Sequence, residues 1–301
     1  MRWQVPDARR QRNDVAKAYP AILNSGRSGF RLGFNIPAAL QHHVVRFIHR
    51  CSNDVNGNGS YTDFWSAPVS INAYAQQLTN RWRQIIARYN AQVSIAIQMQ
   101  DTGEVISYTN VPGMRFITAS SVKVSILVEL LHNTGGRLNS YQQGLAERVI
   151  RNSDNDAAST ITNTYFGGND GLNNIFRALG MTSSHTDIHW GWTLTTPQDQ
   201  LKLLNEIYFK KGNSYLNDRS RNYIKSFMGS VSAGQNWGIS AGSSSFYLKN
   251  GWNVTNGQWN VSSIGYIPGK YTIAVYTRQP SYDIGRQLIG NLAAATRQIV
   301  G

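Results

Sequence analysis

The segment Phe116–Lys123 reads FITASSVK, and apolar residues at helical spacing follow it. Their steps of three and four residues predict a helix from Ser120 to about His132. These apolar residues are Val124, Leu127, Val128, Leu130 and Leu131. At the start of such a helix, Ser120 and Lys123 share one face, about 5 to 6 Å apart. A lysine with a lowered pKa can take the proton of a serine hydroxyl, so the pair is a candidate nucleophile and base. A helix cap followed by a solvated lysine has the same letters, and Ser-x-x-Lys alone does not decide between the two.

A second motif, Ser153-Asp154-Asn155, lies between two helical patterns. A serine in such a loop can pass a proton to a leaving nitrogen, and an asparagine amide can hold an amide of the substrate. The alternative for an isolated Ser-Asp-Asn is a plain turn with helix caps.

A third motif, Lys249-Asn250-Gly251, comes at the end of the predicted strand Phe246–Leu248. A lysine there can complement a substrate carboxylate, and the glycine lets a substrate approach the backbone. The alternative is an ordinary turn at the end of the strand, because Asn-Gly is a common turn pair.

The three motifs in this order resemble the serine β-lactamase and penicillin-binding-protein superfamily. The flanking sequences FITASSVK and TTPQDQLKLL (195–204) are similar to the class A β-lactamase branch. The resemblance covers about residues 72 to 301. It implies an α/β (α+β) fold in which strands from both ends of the domain form one antiparallel sheet. Helices flank that sheet, and an all-helical lobe is inserted between its strands.

The resemblance also implies catalytic roles for three residues. Ser120 would be acylated, and Lys123 would be its general base or one end of a proton relay. Ser153 would deliver the proton to the departing nitrogen. No metal or organic cofactor is implied.

Substrate binding is implied for five further residues. Asn155 would orient the substrate amide, and Lys249 would attract its carboxylate. The oxyanion hole would be the backbone N–H groups of Ser120 and Trp252. Asn250 and Gly251 complete the binding motif, although Thr or Ser is commoner at the position of Asn250.

The chain departs from class A enzymes in the segment Met181–Leu194, which reads MTSSHTDIHWGWTL. Class A enzymes carry a glutamate there that activates the deacylating water. Asp187 is the only acid in this segment, and Glu206 lies beyond it inside a predicted helix. We therefore expect deacylation to be slow or differently catalysed.

Patterns along the rest of the chain predict the order helix, hairpin, helices, three strands, helix. We expect residues 1–68 to form a β-rich accessory segment, the end of a truncated β-module, with strand patterns at 30–35 and 44–49 and a turn at 56–59. The resemblance implies that residues 69–301 form a β-lactamase-like serine hydrolase domain. Parts of the accessory segment, DVAKAYP (14–20) and NSGRSGF (24–30), are similar to the end of a small β-module from surface proteins of Gram-positive bacteria.

The net charge of the chain indicates which kinds of binding partner it favours. The chain has 29 Lys+Arg against 16 Asp+Glu, a net charge of +13. This excess favours anionic partners. The basic residues are scattered, which favours anionic cell-wall polymers over nucleic acid. No run approaches the roughly 18 apolar residues of a membrane span. We expect an extracellular or cell-wall-associated protein whose export signal is not present in this chain.

Two functions remain open from the sequence. One is a serine acyl hydrolase acting on a β-lactam or on a peptidoglycan-peptide substrate. The alternative is a non-catalytic cell-wall-binding protein that retained the fold. The first forms a covalent adduct at Ser120, and the second binds without acylation.

Overall fold

The computed structural model describes residues 73–279 and 281–301, together with short pieces at 9–10, 17, 29–30, 44–46, 48–52 and 60–70. The chain divides into two compact units, residues 1–73 and 74–301. None of the helices among the described residues is long and apolar enough to cross a membrane.

The N-terminal unit contains three short antiparallel strand pairs among its described residues. They are β1 (Arg9–Arg10) with β2 (Gly29–Phe30), β3 (Val44–Val45) with β6 (Val69–Ser70), and β4 (Ile48–Ser52) with β5 (Tyr61–Trp65). The predicted strand at 44–49 therefore falls on β3 and β4. Residues 31–35 and the predicted turn at 56–59 lie outside the described residues.

The second unit alternates helices and strands in the predicted order. Its helices are α1 (Ala73–Ile86), α2 (Lys123–Asn133), α3 (Ser140–Glu147), α4 (Asn155–Tyr165), α5 (Asn169–Ala178), α6 (Pro197–Tyr208), α7 (Asp218–Met228) and α8 (Tyr282–Val300). Its strands are β7 (Gln92–Met99), β8 (Val105–Thr109), β9 (Phe116–Ile117), β10 (Leu194–Thr195), β11 (Tyr247–Thr255), β12 (Gln258–Ile267) and β13 (Tyr271–Gln279).

Five of these strands form one antiparallel sheet in the order β11-β12-β13-β7-β8. The hairpin β7-β8 comes from the start of the unit and the other three strands from its end, so β13 pairs with β7 across most of the chain. This arrangement confirms the predicted sheet built from both ends. The helices α2 to α7 all lie in the sequence between the two groups of strands, as an inserted helical lobe requires.

The sheet is buried on both faces because successive side chains of a strand point to opposite sides. On β7, Ile95 and Ile97 pack with residues of α1 and α8, including Trp82 and Leu292. The intervening Ala96 belongs to a second core, which the helical lobe forms with the other face. The three sequence motifs lie where this second core meets the sheet.

Two local expectations differ from the structure. Helix α7 has no predicted counterpart, because its buried face carries Arg221 beside Ile224 and Met228, and a charged residue interrupts the apolar pattern. Arg221 donates hydrogen bonds to Glu206 and to backbone carbonyls.

The second difference is that Lys249-Asn250-Gly251 lies inside β11 and not at a strand end. The Asn-Gly pair makes no turn there because β12 supplies a continuous partner strand.

Packing of α8 on the sheet can be tested at two glycines of that helix. A Cβ at Gly285 would lie 2.7 Å from Val261 Cγ2 and 2.3 Å from Gln279 Nε2, whereas a Cβ at Gly290 meets only Ala241 Cβ at 3.8 Å. We expect Gly285→Ala to lower the free energy of unfolding by about 1 to 3 kcal/mol through overpacking. Gly290→Ala, the control, should raise it by up to about 1 kcal/mol through helix propensity. Urea unfolding measures both, and equal effects at the two sites would contradict the packing.

Candidate active site

Ser120 lies in a single 3₁₀ turn, Ala119–Val122, directly before α2. Ala119 has a φ of 46°, in the left-handed region that an alanine rarely adopts, so the surroundings must hold the turn in place. The Ser121 hydroxyl donates to the Thr118 carbonyl at 2.8 Å and lies 2.8 Å from the Tyr276 hydroxyl of β13. Ser121 is thus committed to the core, and Ser120, which is only partly buried, is left to face the site.

Lys123 is the first residue of α2, and its side chain is fully buried. Its Nζ lies 3.0 Å from Ser120 Oγ, 2.6 Å from the Ser153 carbonyl oxygen and 2.6 Å from Asn155 Oδ1. No carboxylate is among its hydrogen-bond partners in the described part of the chain. With Ser153 Oγ at 3.4 Å, the amine has four oxygen neighbours, of which the hydroxyls of Ser120 and Ser153 can also donate.

These partners set the direction of the Lys123 lone pair. Burial lowers the pKa of the Lys123 amine to about 7, and the charge of Asp154 opposes this only in part. A neutral amine has two N–H groups, which the Ser153 carbonyl and Asn155 Oδ1 accept. Its lone pair is then left for a hydroxyl, and that of Ser120 at 3.0 Å is nearer than that of Ser153 at 3.4 Å, as a general base for Ser120 requires.

Ser153 ends a π-helical turn, Arg148–Asn152, and has a φ of 58°. This backbone turns its carbonyl to Lys123, while its hydroxyl accepts from Lys249 Nζ at 2.9 Å and lies 3.4 Å from Lys123 Nζ. Lys249 is fully buried on β11, and burial together with the charge of Lys123 places its pKa well below the usual range. One hydroxyl thus connects two amines, so a proton can pass between them through Ser153.

Asp154, which lies between Ser153 and Asn155, caps helix α4. Its carboxylate accepts from the Ala157 backbone N–H at 2.9 Å and caps α4. It also pairs with Arg148 at 2.7 Å. The backbone hydrogen bond from Ala157 is the main cause of its lowered pKa, and Arg148 adds to it. The cap fixes the first turn of α4 and with it the position of Asn155.

Gly251 brings β11 against the turn that carries Ser120. A Cβ at this position would lie 2.5 Å from the Thr118 carbonyl oxygen and 2.8 Å from the Ser120 backbone nitrogen. Only a glycine permits this approach, and Trp252 is the next residue along the strand. The Trp252 ring packs against Trp237 and Tyr282, with centroids 5.8 and 5.6 Å away.

The side chain of Asn250, which the resemblance placed in the binding motif, contacts the segment before β11. It is fully buried, and its Nδ2 donates to the carbonyls of Gln235 at 2.7 Å and Trp237 at 3.0 Å. The reason is the alternation of side chains along β11, which directs Lys249 and Gly251 to the helical lobe and Asn250 to the other side. Its amide instead holds the segment that precedes β11.

The segment Met181–Leu194 closes the site beside Lys123 with Trp190, whose ring centroid lies 4.9 Å from Lys123 Nζ. Neither acid noted in the sequence reaches this point. Asp187 is 70% exposed and pairs with His185, and Glu206 is buried against Arg221. In the described residues no group of three or more His, Cys, Asp or Glu side chains is arranged to hold a metal ion.

The structure therefore brings together Ser120, Lys123, Ser153, Asn155 and Lys249 by direct hydrogen bonds. Gly251 adjoins the turn of Ser120. The Asn250 carbonyl accepts from Lys249 Nζ at 2.8 Å, while the Asn250 side chain binds the segment before β11. What the sequence does not reveal is the contact of Trp190 with Lys123, since no short-range pattern connects a tryptophan in a loop with a distant helix.

Comparison with solved structures shows the same fold. A β-lactamase from Streptosporangium roseum is 20% identical, with a TM-score of 0.61, over 74% of this chain and 98% of its own. A class A β-lactamase representative from Bacteroides cellulosilyticus is 16% identical, with a TM-score of 0.65, over 75% and 97%. A point mutant of PBP-A, in an acyl-enzyme complex with penicillin G, is 20% identical, with a TM-score of 0.60, over 74% and 96%.

A search of the curated proteins found no match. The sequence model of the β-lactamase enzyme family matches residues 135–300, which is more than half of the chain and includes the second and third motifs. With the matching fold of the whole second unit, this shows that the chain belongs to the β-lactamase enzyme family.

Proposed function

We propose that the chain is a serine acyl hydrolase that forms an acyl-enzyme at Ser120 with a β-lactam or with an amide resembling a cell-wall peptide. The observation that carries the proposal is the Lys123 amine, 3.0 Å from Ser120 Oγ, with its pKa lowered to about 7. A lysine in that state can deprotonate a serine at neutral pH, and a solvated lysine cannot.

The proposed acylation moves one proton around a ring of groups. Lys123 takes the proton of Ser120 while Oγ bonds to the substrate carbonyl carbon. The bond from that carbon to the amide nitrogen then breaks, and the nitrogen takes the proton of the Ser153 hydroxyl. Lys123, 3.4 Å from Ser153 Oγ, returns its proton to that hydroxyl and is neutral again.

Binding uses the groups around this ring. The Lys249 amine attracts a substrate carboxylate, and Asn155 orients the amide. Backbone N–H groups of Ser120 and Trp252 stabilise the oxyanion, since Gly251 lets the strand approach the turn closely. The net charge of +13 favours a location among anionic cell-wall polymers outside the cell.

Deacylation is the slow step of the proposed cycle. Hydrolysis of the acyl-enzyme needs a base for the attacking water. The acid of the segment Met181–Leu194 is Asp187, which is directed to solvent, and Lys123 is enclosed by its partners and by Trp190.

The adduct is the first test of the proposed function. We expect intact-protein mass spectrometry after incubation with a penicillin to show the mass of one acyl group on the wild type and none on Ser120→Ala. Because neither Asp187 nor Glu206 reaches the site, the adduct should persist. An unmodified wild type with intact penicillin would favour the non-catalytic wall-binding alternative. Consumed penicillin without an adduct would mean that another group catalyses deacylation.

The pH dependence of acylation tests the role of Lys123. The neutral amine is the active form, so the second-order rate constant of acylation should rise with pH through an apparent pKa near 7 and then level off. That apparent pKa belongs to the coupled amines of Lys123 and Lys249. In the control Lys123→Arg, whose guanidinium stays charged, this limb should vanish with most of the activity. A wild-type rate still rising at pH 10 would exclude a neutral Lys123 at physiological pH.

The close approach of β11 provides a further test. A methyl group at Gly251 would displace the strand from the Ser120 turn. The backbone N–H of Trp252 would then move away from its position in the proposed oxyanion site. We expect Gly251→Ala to slow acylation about a hundredfold or more, the usual effect of losing an oxyanion donor. Gly144→Ala is the control, because a Cβ there meets no heavy atom within 4 Å. Stopped-flow acylation would measure both, and an unaffected Gly251→Ala would contradict the proposed oxyanion site.

A further inference from the structure

Trp190 is held rigidly above the Lys123 amine. Its indole N–H donates to Ser159 Oγ of α4 at 3.2 Å, and its carbonyl accepts from Thr193 Oγ1 at 2.7 Å. The His189 ring lies against it with centroids 4.6 Å apart. The side chain is 7% exposed, so most of a large aromatic surface is buried at this one place.

The ring completes the enclosure of the amine. Lys123 Nζ is surrounded by Ser120 Oγ, by the carbonyl and hydroxyl oxygens of Ser153 and by Asn155 Oδ1, and the indole faces it at 4.9 Å. An ordered water needs two to four polar partners, and the face of an indole offers none of ordinary strength. The ring can still stabilise the ammonium form of Lys123 by a cation–π interaction. It therefore stabilises Lys123 after the amine has taken the proton of Ser120, and it does so without admitting water.

We propose that Trp190 is a positioning residue that excludes the hydrolytic water from the Lys123 amine and thereby prolongs the life of the acyl-enzyme. This inference rests on the proposed acylation of Ser120. The step that Trp190 prevents is hydrolysis of the acyl-enzyme with Lys123 as the base. A water oxygen bonds to the acyl carbon while Lys123 takes one of its protons, the bond from that carbon to Ser120 Oγ breaks, and Oγ receives the proton from Lys123. Without the ring, the amine that activates Ser120 can activate water in the same way.

The next tryptophan in the sequence, Trp192, offers a matched control. Trp192 belongs to the same 3₁₀ turn, Trp190–Trp192, yet it is 55% exposed. Trp192→Ala therefore perturbs the same segment by the same truncation without opening a space beside Lys123. Trp190→Phe retains an aromatic ring beside the amine, and it loses the hydrogen bond to Ser159 and part of the ring volume.

The experiment forms the penicillin adduct, removes excess penicillin and follows loss of the adduct by intact-protein mass spectrometry. We expect the half-life of the adduct to fall about tenfold or more in Trp190→Ala, because water gains access to a base. In Trp190→Phe and Trp192→Ala it should stay within about twofold of the wild type. The apparent pKa of acylation should rise in Trp190→Ala toward the usual range of lysine, since the amine becomes hydrated, and a merely structural role would not move it.

Trp190→Leu is the second variant in case Trp190→Ala does not fold, as circular dichroism would show. It keeps an apolar side chain but leaves part of the ring's space to water, and its adduct should decay about fivefold faster than that of the wild type. An adduct whose half-life is the same in the wild type and in every folded Trp190 variant would overturn this inference alone. A wild type that forms no adduct would overturn the proposed function and this inference with it.

Discussion

The hydrogen bonds from Lys123 Nζ to the Ser153 carbonyl and to Asn155 Oδ1, both 2.6 Å long, join the start of α2 to the start of α4. They bring two motifs together that are separated in the sequence by α3 and the π-helical turn. They also satisfy an amine that is fully buried and has no carboxylate among its described partners. Burying an amine in this way disfavours its charged form, and the lowered pKa of Lys123 is the result. The same contacts therefore bring the site residues together and hold the amine that we propose as the base.

The sheet supports this interaction from the opposite side. Tyr276 of β13 meets Ser121, and Ser262 of β12 donates to the Thr118 carbonyl at 3.1 Å. Gly251 of β11 allows the strand to lie against the same turn. Three adjacent strands thus contact this turn and hold Ala119 at its unfavourable φ. The strain is tolerable because the turn cannot relax without breaking contacts with the sheet, and Ser120 is consequently kept at a fixed distance from Lys123.

How much the sequence could predict depends on the range of the interactions. The helix pattern after Ser120, the Thr196-Pro197 start of α6 and the alternation in β7 are local signals, and the structure has those elements. The ordered motifs indicated the sheet built from both ends. Asn-Gly at 250–251 suggested a strand end, but pairing with β12 overrides that local preference. Helix α7 was hidden because Arg221 is buried through long-range hydrogen bonds, and the contact of Trp190 with Lys123 depends on how a loop packs on two helices.

The two buried amines also affect how an anionic substrate would bind. Lys123 and Lys249 share the Ser153 hydroxyl, and each disfavours a second positive charge nearby. A substrate carboxylate beside Lys249 would offset that repulsion and favour the ammonium form of Lys249. Binding would then draw a proton into the site while Lys123 stays neutral, because burial continues to disfavour the charged form of Lys123. The anion would thus help to divide the roles of the two lysines, with one charged for binding and the other neutral for taking the proton of Ser120.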